Sequence, residues 1–387
     1  MAAGDQLLEI CAADRSSTVS EAKGYRMTLV FVVWSGSLFG GMERRYIRLA
    51  EAIAHHNYGC KVYILAQKRC VATLYDFLPA NPSVHIVEFG SDKYSRSLKG
   101  LISELNSFRQ SLFYIKPNHV HLVCNPGILA TILSVIVPRG SSLSLSMVDS
   151  TYDKTSNMVQ RFIGRLGLWR FKSVDCLSKG TFDIFLRFFG QKLSAKARIA
   201  PCSFSDYSKE IESTVRDIDV LCMARFVEDK GYDLVEGIAT HLHDLNVHLC
   251  GFGPRPFSAD CHPFQVYKTS NPISVLSRAK IFLSIQRGTN YPSQATLEAM
   301  YSGCAIVATD VGETRSFLDE SCAIMIPYDA VSLRVAIEEL LSNPQKRTDL
   351  GEEAKKRAVS LHTIERYRDY FVERIVDSDT ADHNRHK

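Results

Sequence analysis

The sequence predicts an α/β architecture of two Rossmann-like domains whose parallel sheets face each other across a cleft. Three observations predict it. Short β-branched runs alternate with longer helical patterns, as in parallel α/β proteins. The alternation stops once, at the polar, serine-rich stretch Pro201–Arg216, and then restarts. At 387 residues the chain also exceeds what one hydrophobic core usually supports.

In the first half, strands are expected at Thr28–Trp34, Lys61–Ala66, Val84–Glu88, His119–Cys124, Leu143–Val148 and Val174–Leu177. Glu43–His55 repeats Tyr46, Leu49, Ala50 and Ile53 at helical spacing, and Arg96–Tyr114 does the same with Leu98, Leu101, Ile102, Leu105 and Phe108. In the second half the strands are Asp219–Ala224, Val247–Cys250, Ile281–Ile285, Ala305–Thr309 and Ala323–Ile326. Helices are expected at Tyr232–Leu242, Pro272–Ala279, Ser293–Ser302 and Ala330–Ser342. A charged helical pattern, Leu350–Val376, breaks near Leu361–Thr363. The resulting division is an appended segment 1–26, a domain 27–205, a linker 206–216, a domain 217–360, a helix 361–376 that can pack back on the first domain, and a tail 377–387.

Composition narrows the class. Apolar residues make up 45% and charged residues 23%, the balance of a globular protein. A net charge of +4 is too small for the concentrated basic stripe of a nucleic-acid binder. The eleven cysteines are scattered without a C-x-x-C pair, which argues against structural zinc or a redox dithiol and for a reducing cytoplasm. Residues 1–26 carry Asp5, Glu9, Asp14 and Glu21, unlike a signal peptide. The apolar run Gly127–Val137 is too short to span a bilayer.

Two segments carry chemistry. In the first, the strand Asp219–Ala224 ends in Arg225, and Lys230-Gly231 opens a helix five residues later. Two cations at the cleft end of a strand suit a diphosphate, which Arg grips bidentately and Lys attracts as a point charge. By themselves they would more often be solvated loop cations. In the second, Asn290-Tyr-Pro-Ser293-Gln294 leads into a helix that holds Glu298. Free backbone N–H groups at that helix start favour a phosphate. Glu298 is placed to accept hydrogen bonds from ribose hydroxyls, or is a plain helix carboxylate.

Together these segments resemble the C-terminal domain of glycosyltransferase family 4, also called group 1, of the GT-B fold. Arg225 and Lys230 match the family's diphosphate-binding pair. The family's two glutamates map onto Asn290 and Glu298. The second, which holds the ribose, is kept as Glu298; the first, which faces the donor sugar, is Asn290 here. Gly251-Phe252-Gly253 resembles the glycine pair near the nucleotide base. In the first half, Gly36, Gly40, Gly41, Glu43 and Arg44 resemble the glycine-rich loop that approaches donor phosphates and acceptor. The dinucleotide fingerprint is absent from it, which disfavours an NAD-dependent dehydrogenase. Where family members often carry a His against the transferring sugar, this chain has Asp149, which serves as well as a loop or cap carboxylate.

The resemblance implies a retaining hexosyltransferase that moves a sugar from a UDP- or GDP-sugar to a glycan or lipid-linked saccharide. It implies a front-face displacement assisted by Arg225, Lys230, Asn290 and Asp149. Gly40, Gly41, Ser293 and Gln294 would complete the phosphate cradle. No cofactor or metal is expected: Asp217-Ile-Asp219 precedes a strand rather than following one, and Asp377-Ser-Asp379 lies in the tail. The histidines offer no substitute, with His119 and His121 flanking a strand core and His241, His243 and His248 falling in loops or at helix ends. A nucleotide-binding scaffold without activity, or a sugar-nucleotide epimerase or hydrolase, fits the same fold. Finally, Met158–Lys172 mixes Arg161, Arg165, Arg170 and Lys172 with Phe162, Leu166 and Trp169. Such a helix either lies on the cytoplasmic face of an anionic membrane or is an ordinary surface helix with one buried face.

Overall fold

The computed structural model describes residues 27–374 apart from 35–40, 57, 76–77, 81, 94–96, 149–151, 202–214, 254, 256–263, 270 and 289–292. Among the described residues, seven parallel strands form the first sheet: β1 (Met27–Val33), β2 (Cys60–Gln67), β3 (His85–Phe89), β4 (His119–Val123), β5 (Ser142–Met147), β6 (Ser173–Cys176) and β7 (Ala197–Ile199), in spatial order 3-2-1-4-5-6-7. Between them run α1 (Gly41–His55), α2 (Val71–Tyr75), α3 (Leu98–Ile115), α4 (Ile128–Ile136), α5 (Tyr152–Thr155), α6 (Met158–Gly167) and α7 (Lys179–Phe189). The second sheet has β8 (Ile218–Met223), β9 (Val247–Cys250), β10 (Phe264–Tyr267), β11 (Ala279–Ser284), β12 (Ala305–Thr309) and β13 (Ala323–Ile326), in order 10-9-8-11-12-13. Its helices are α8 (Tyr232–Gly237), α9 (Pro272–Leu276), α10 (Gln294–Tyr301), α11 (Ala330–Ser342), α12 (Pro344–Leu361) and α13 (Ile364–Val372).

The near-continuous apolar strands are explained by burial on both faces, as parallel sheets require. Along β1 the side chains alternate: Leu29, Phe31 and Val33 join a core with α1 and α13, while Val30 and Val32 join the core under α3, α4 and α7. The second sheet repeats the scheme, with Leu221 and Phe282 facing α10 and α12, and Val220 and Ile281 facing α8 and α11. The predicted α/β class and parallel sheets are therefore found. The elements not foreseen are β7, β10, α2, α4, α5 and α7. The helix expected at Tyr232–Leu242 ends at Gly237, where a 3₁₀ turn, Ala239–His241, takes over. His248, expected in a loop or at a helix end, lies buried inside β9 with its ring on Asn246 and the Tyr267 hydroxyl.

The last helix crosses back to the first sheet. Tyr367 and Phe371 of α13 bury against Tyr46 and Phe31, whose ring centroids lie 6.2 and 5.1 Å from theirs. Its polar anchor is Asp175 on β6, fully buried, which accepts from the Tyr370 hydroxyl at 2.9 Å and lies 3.3 Å from Arg374 Nε. Desolvation raises the Asp175 carboxyl to about 6, against the opposing pull of Arg374 and Tyr370. The native state thus holds this proton more tightly than the unfolded chain. Its contribution is full below about pH 4 and is lost as pH rises through about 6, an effect of about 3 kcal/mol. Urea melts at pH 7 and near pH 4.5 should show wild type gaining stability relative to Asp175→Asn as pH falls. A pH-independent difference would contradict the assignment.

Candidate functional site

The second sheet reverses its strand order between β8 and β11, which pair directly. Crevices at the carboxyl ends of strands beside such a reversal are where open α/β sheets bind ligands. Arg225 follows β8 at this place and Gln286 follows β11. Lys230 Nζ spans the two connections, donating to Gln286 Oε1 at 2.8 Å. Gln286 is itself fixed through its backbone: its N–H donates to Thr309 Oγ1 at 2.9 Å, and Thr309 Oγ1 donates to its carbonyl at 3.0 Å.

Local sequence explains why Lys230 reaches inward. Gly231 has φ +67°, and a Cβ there would come within 2.8 Å of the Ile285 side chain. Only glycine permits both the left-handed turn and the contact, so α8 starts hard against the end of β11. The ammonium pays for this position electrostatically. Its pKa falls to about 8, first through desolvation and then through repulsion from Arg225. Arg225 itself is exposed. The structure therefore brings two cations together at the crevice, Lys230 partly dehydrated and Arg225 open to solvent.

The Gly251–Gly253 turn follows β9 beside them. A Cβ on Gly251 would collide with the Ala224 carbonyl oxygen at 1.9 Å, and one on Gly253 would stand 2.4 Å from the Phe226 carbonyl oxygen. These glycines let the loops that follow β8 and β9 pack backbone to backbone, with Phe226 N–H donating to the Phe252 carbonyl at 2.8 Å. Phe252 keeps its ring exposed at the crevice, with Lys268 Nζ 5.6 Å from its centroid.

The other half of the site joins the two domains. The N-terminus of α10 is capped by Ser293, whose Oγ accepts from Thr296 N–H at 3.1 Å. It touches the N-terminus of α1, since a Cβ on Gly41 would lie 3.3 Å from Gln294 Cβ. Two helix N-termini, each worth about half a positive charge, therefore converge on one point. Glu298 lies one turn into α10, almost wholly buried. Its Oε1 accepts from Gln294 Nε2 at 3.1 Å and is paired with the Arg44 guanidinium of α1. A second carboxylate bridges the cleft nearby, where Glu313 Oε1 accepts from Gly180 N–H at 2.9 Å in the first turn of α7.

Asn290, Asp149 and Gly40 lie outside the described residues. Three contributors were missed: Gln286, Glu313 and the interdomain role of Arg44. Gln286 left a signal, a polar residue closing a buried apolar strand just as Arg225 does. The pairing of Arg44 with Glu298, 254 positions apart, left none. Asp217 and Asp219 are occupied structurally, on Arg278 and Lys280.

Residues 234–373 match the family model described as glycosyl transferase-like. No curated protein sequence matches the chain. Solved structures do. Sucrose-phosphate synthase from Thermosynechococcus elongatus is similar over 92% of this chain and 100% of its own, at 14% identity and a TM-score of 0.69. The Anabaena protein HepE in complex with UDP-glucose covers 91% and 100%, at 13% identity and a TM-score of 0.68. WaaG, a glycosyltransferase involved in lipopolysaccharide biosynthesis, covers 89% and 98%, at 14% and 0.62. At these identities the likeness is one of fold, and it spans both sheets: the chain has the two-domain GT-B architecture, with a glycosyl transferase-like second half.

Proposed function

We propose that the chain is a retaining, metal-independent glycosyltransferase that moves a hexose from a UDP- or GDP-sugar to a glycan or lipid-linked saccharide. The observation that carries this reading is the partly dehydrated Lys230 beside Arg225 at the strand-order reversal, just ahead of the matched glycosyl transferase-like segment. A cation whose charge is disfavoured by its surroundings gains most when an anion arrives. In this reading Arg225 and Lys230 take the donor diphosphate and stabilise the charge that builds on it as the glycosidic bond breaks. Backbone N–H groups at Ser293–Gln294 and Gly40–Gly41 share that charge at the converging helix ends. Glu298 is assigned to the ribose, Gly251, Phe252 and Gly253 to the base, and Asn290 and Asp149 to the sugar. That HepE was solved with UDP-glucose on the same fold supports a nucleotide-sugar donor.

The test is calorimetric titration with UDP-, GDP-, ADP- and dTDP-glucose, followed by a radiolabelled transfer assay on saccharide acceptors. Binding of one donor and transfer from it are expected. Failure of every nucleotide sugar to bind would overturn the reading.

Lys230 adds a pH signature. Bound diphosphate should raise its pKa above the free value of about 8, so binding takes up a proton when the pH exceeds 8. Donor affinity should stay level below pH 8 and then weaken by up to about tenfold per unit. In Lys230→Arg, whose cation does not titrate in this range, the pH dependence should vanish even if affinity drops.

A further inference from the structure

Helix α6 is turned inside out. Its buried face is made of Gly164 and Gly167, and it lies so close to α4 that a Cβ on Gly164 would come 2.9 Å from Gly127 N and one on Gly167 2.3 Å from Thr131 Oγ1. Thr131 Oγ1 seals the contact, donating to the carbonyls of Gly127 and Ile163. With small residues inside, the large apolar ones face outward. Met158, Val159, Phe162 and Leu166 of α6 and Trp169 just beyond it are between 56% and 84% exposed, and Val135 of α4 is 80% exposed. A soluble surface seldom leaves so many large apolar side chains together without an occupant.

Charge identifies the occupant. From Lys154 to Lys172 the chain carries no carboxylate, and Lys154, Arg165 and Lys172 are exposed around the apolar stripe. Arg139, in the turn after α4, stands close enough to Arg170 to repel it. Arg161 is withdrawn from this face, stacked 3.8 Å from the Phe188 ring centroid and bonded to the Asp153 and Ser156 carbonyls. A two-fold contact between copies would set these cations against their own equivalents. An anionic bilayer satisfies both features, taking the apolar stripe among its acyl chains and the cations at its headgroups. No helix among the described residues is long and apolar enough to cross a membrane, so contact through this face is peripheral.

We propose that α6, with Trp169 and the edge of α4, docks the protein on an anionic lipid surface. Docking is independent of the transfer reading, since it requires neither donor nor acceptor. The test uses the full chain and vesicles of phosphatidylcholine with phosphatidylglycerol, compared with phosphatidylcholine alone. The chain's two tryptophans are Trp34 and Trp169, so Trp34→Phe leaves Trp169 as the reporter. Its emission should shift to the blue with the anionic vesicles only. The exposed pair Phe162→Ser/Leu166→Ser should weaken co-sedimentation by at least about tenfold. Arg165→Gln and Lys172→Gln should each cost roughly fivefold, and added salt should mimic them. Unchanged melting temperatures would show that the variants fold. The proposal is overturned if wild type ignores anionic vesicles, or if the serine pair binds them equally well. It is also overturned if wild type ignores vesicles and instead forms a dimer that the serine pair abolishes.

Discussion

Lys230→Ala is expected to lower transfer from the nucleotide-sugar donor by about 10²–10³, the usual loss when one preorganised charge-stabilising donor is removed. The same substitution should leave the melting temperature unchanged or raise it. Lys230 is held in a place that disfavours its charge, by desolvation first and by Arg225 second. Its removal relieves both, and the Gln286 amide that loses its partner sits at a crevice where water can replace the ammonium. Activity and stability therefore move apart, which a purely structural lysine would not produce. Arg225→Ala should show a comparable loss, and the double variant less than the product of the two, because both cations serve one diphosphate. Steady-state rates at saturating and limiting donor, with thermal melts beside them, make the check. Undiminished turnover in both single variants would remove the pair from the site.

What the sequence made legible follows from how local each feature is. The strands of both sheets could be read because burial on both faces forces near-continuous apolar runs, as in Leu29–Val33 and Ile281–Leu283. Arg225 and Lys230 could be read because strand, cation, glycine and helix follow one another within a dozen residues. By contrast β7 and β10 are edge strands of three and four residues, with only Ala197 and Phe264 buried, so they leave little periodic trace. The interdomain contacts depend on how the two sheets are placed, and nothing near Arg44 or Glu313 in the sequence announces a partner 254 or 133 residues away. Helix α6 shows the limit of composition. Its mixture of apolar and basic residues fits either a buried or a lipid-facing stripe, and Gly164 and Gly167 decide which side is inside.

Arg44→Met is expected to be the most destabilising cleft substitution, costing about 3–5 kcal/mol, the range for breaking a buried ion pair from one side. The reason lies in Glu298, which is 1% exposed and meets Arg44 across the domain boundary. Without the guanidinium, the carboxylate must stay charged in a dehydrated place, take up a proton, or draw the domains apart to reach water. Glu298→Gln alone should cost less, because a neutral amide tolerates burial while Arg44 is already partly open to solvent. Combining the two should recover much of the Arg44→Met loss, since the charge that made it costly is gone. Thermal and urea melts of the four proteins test this cycle, and simply additive losses would contradict it. Small-angle scattering separates the escape routes: a larger radius of gyration in Arg44→Met alone would mean that the cleft has opened. The donor reading gives the pair its function, for the carboxylate proposed to meet the ribose is the one Arg44 holds. Domain closure and ribose binding would then be linked through a single side chain, and Arg44→Met should weaken donor binding even where the fold survives.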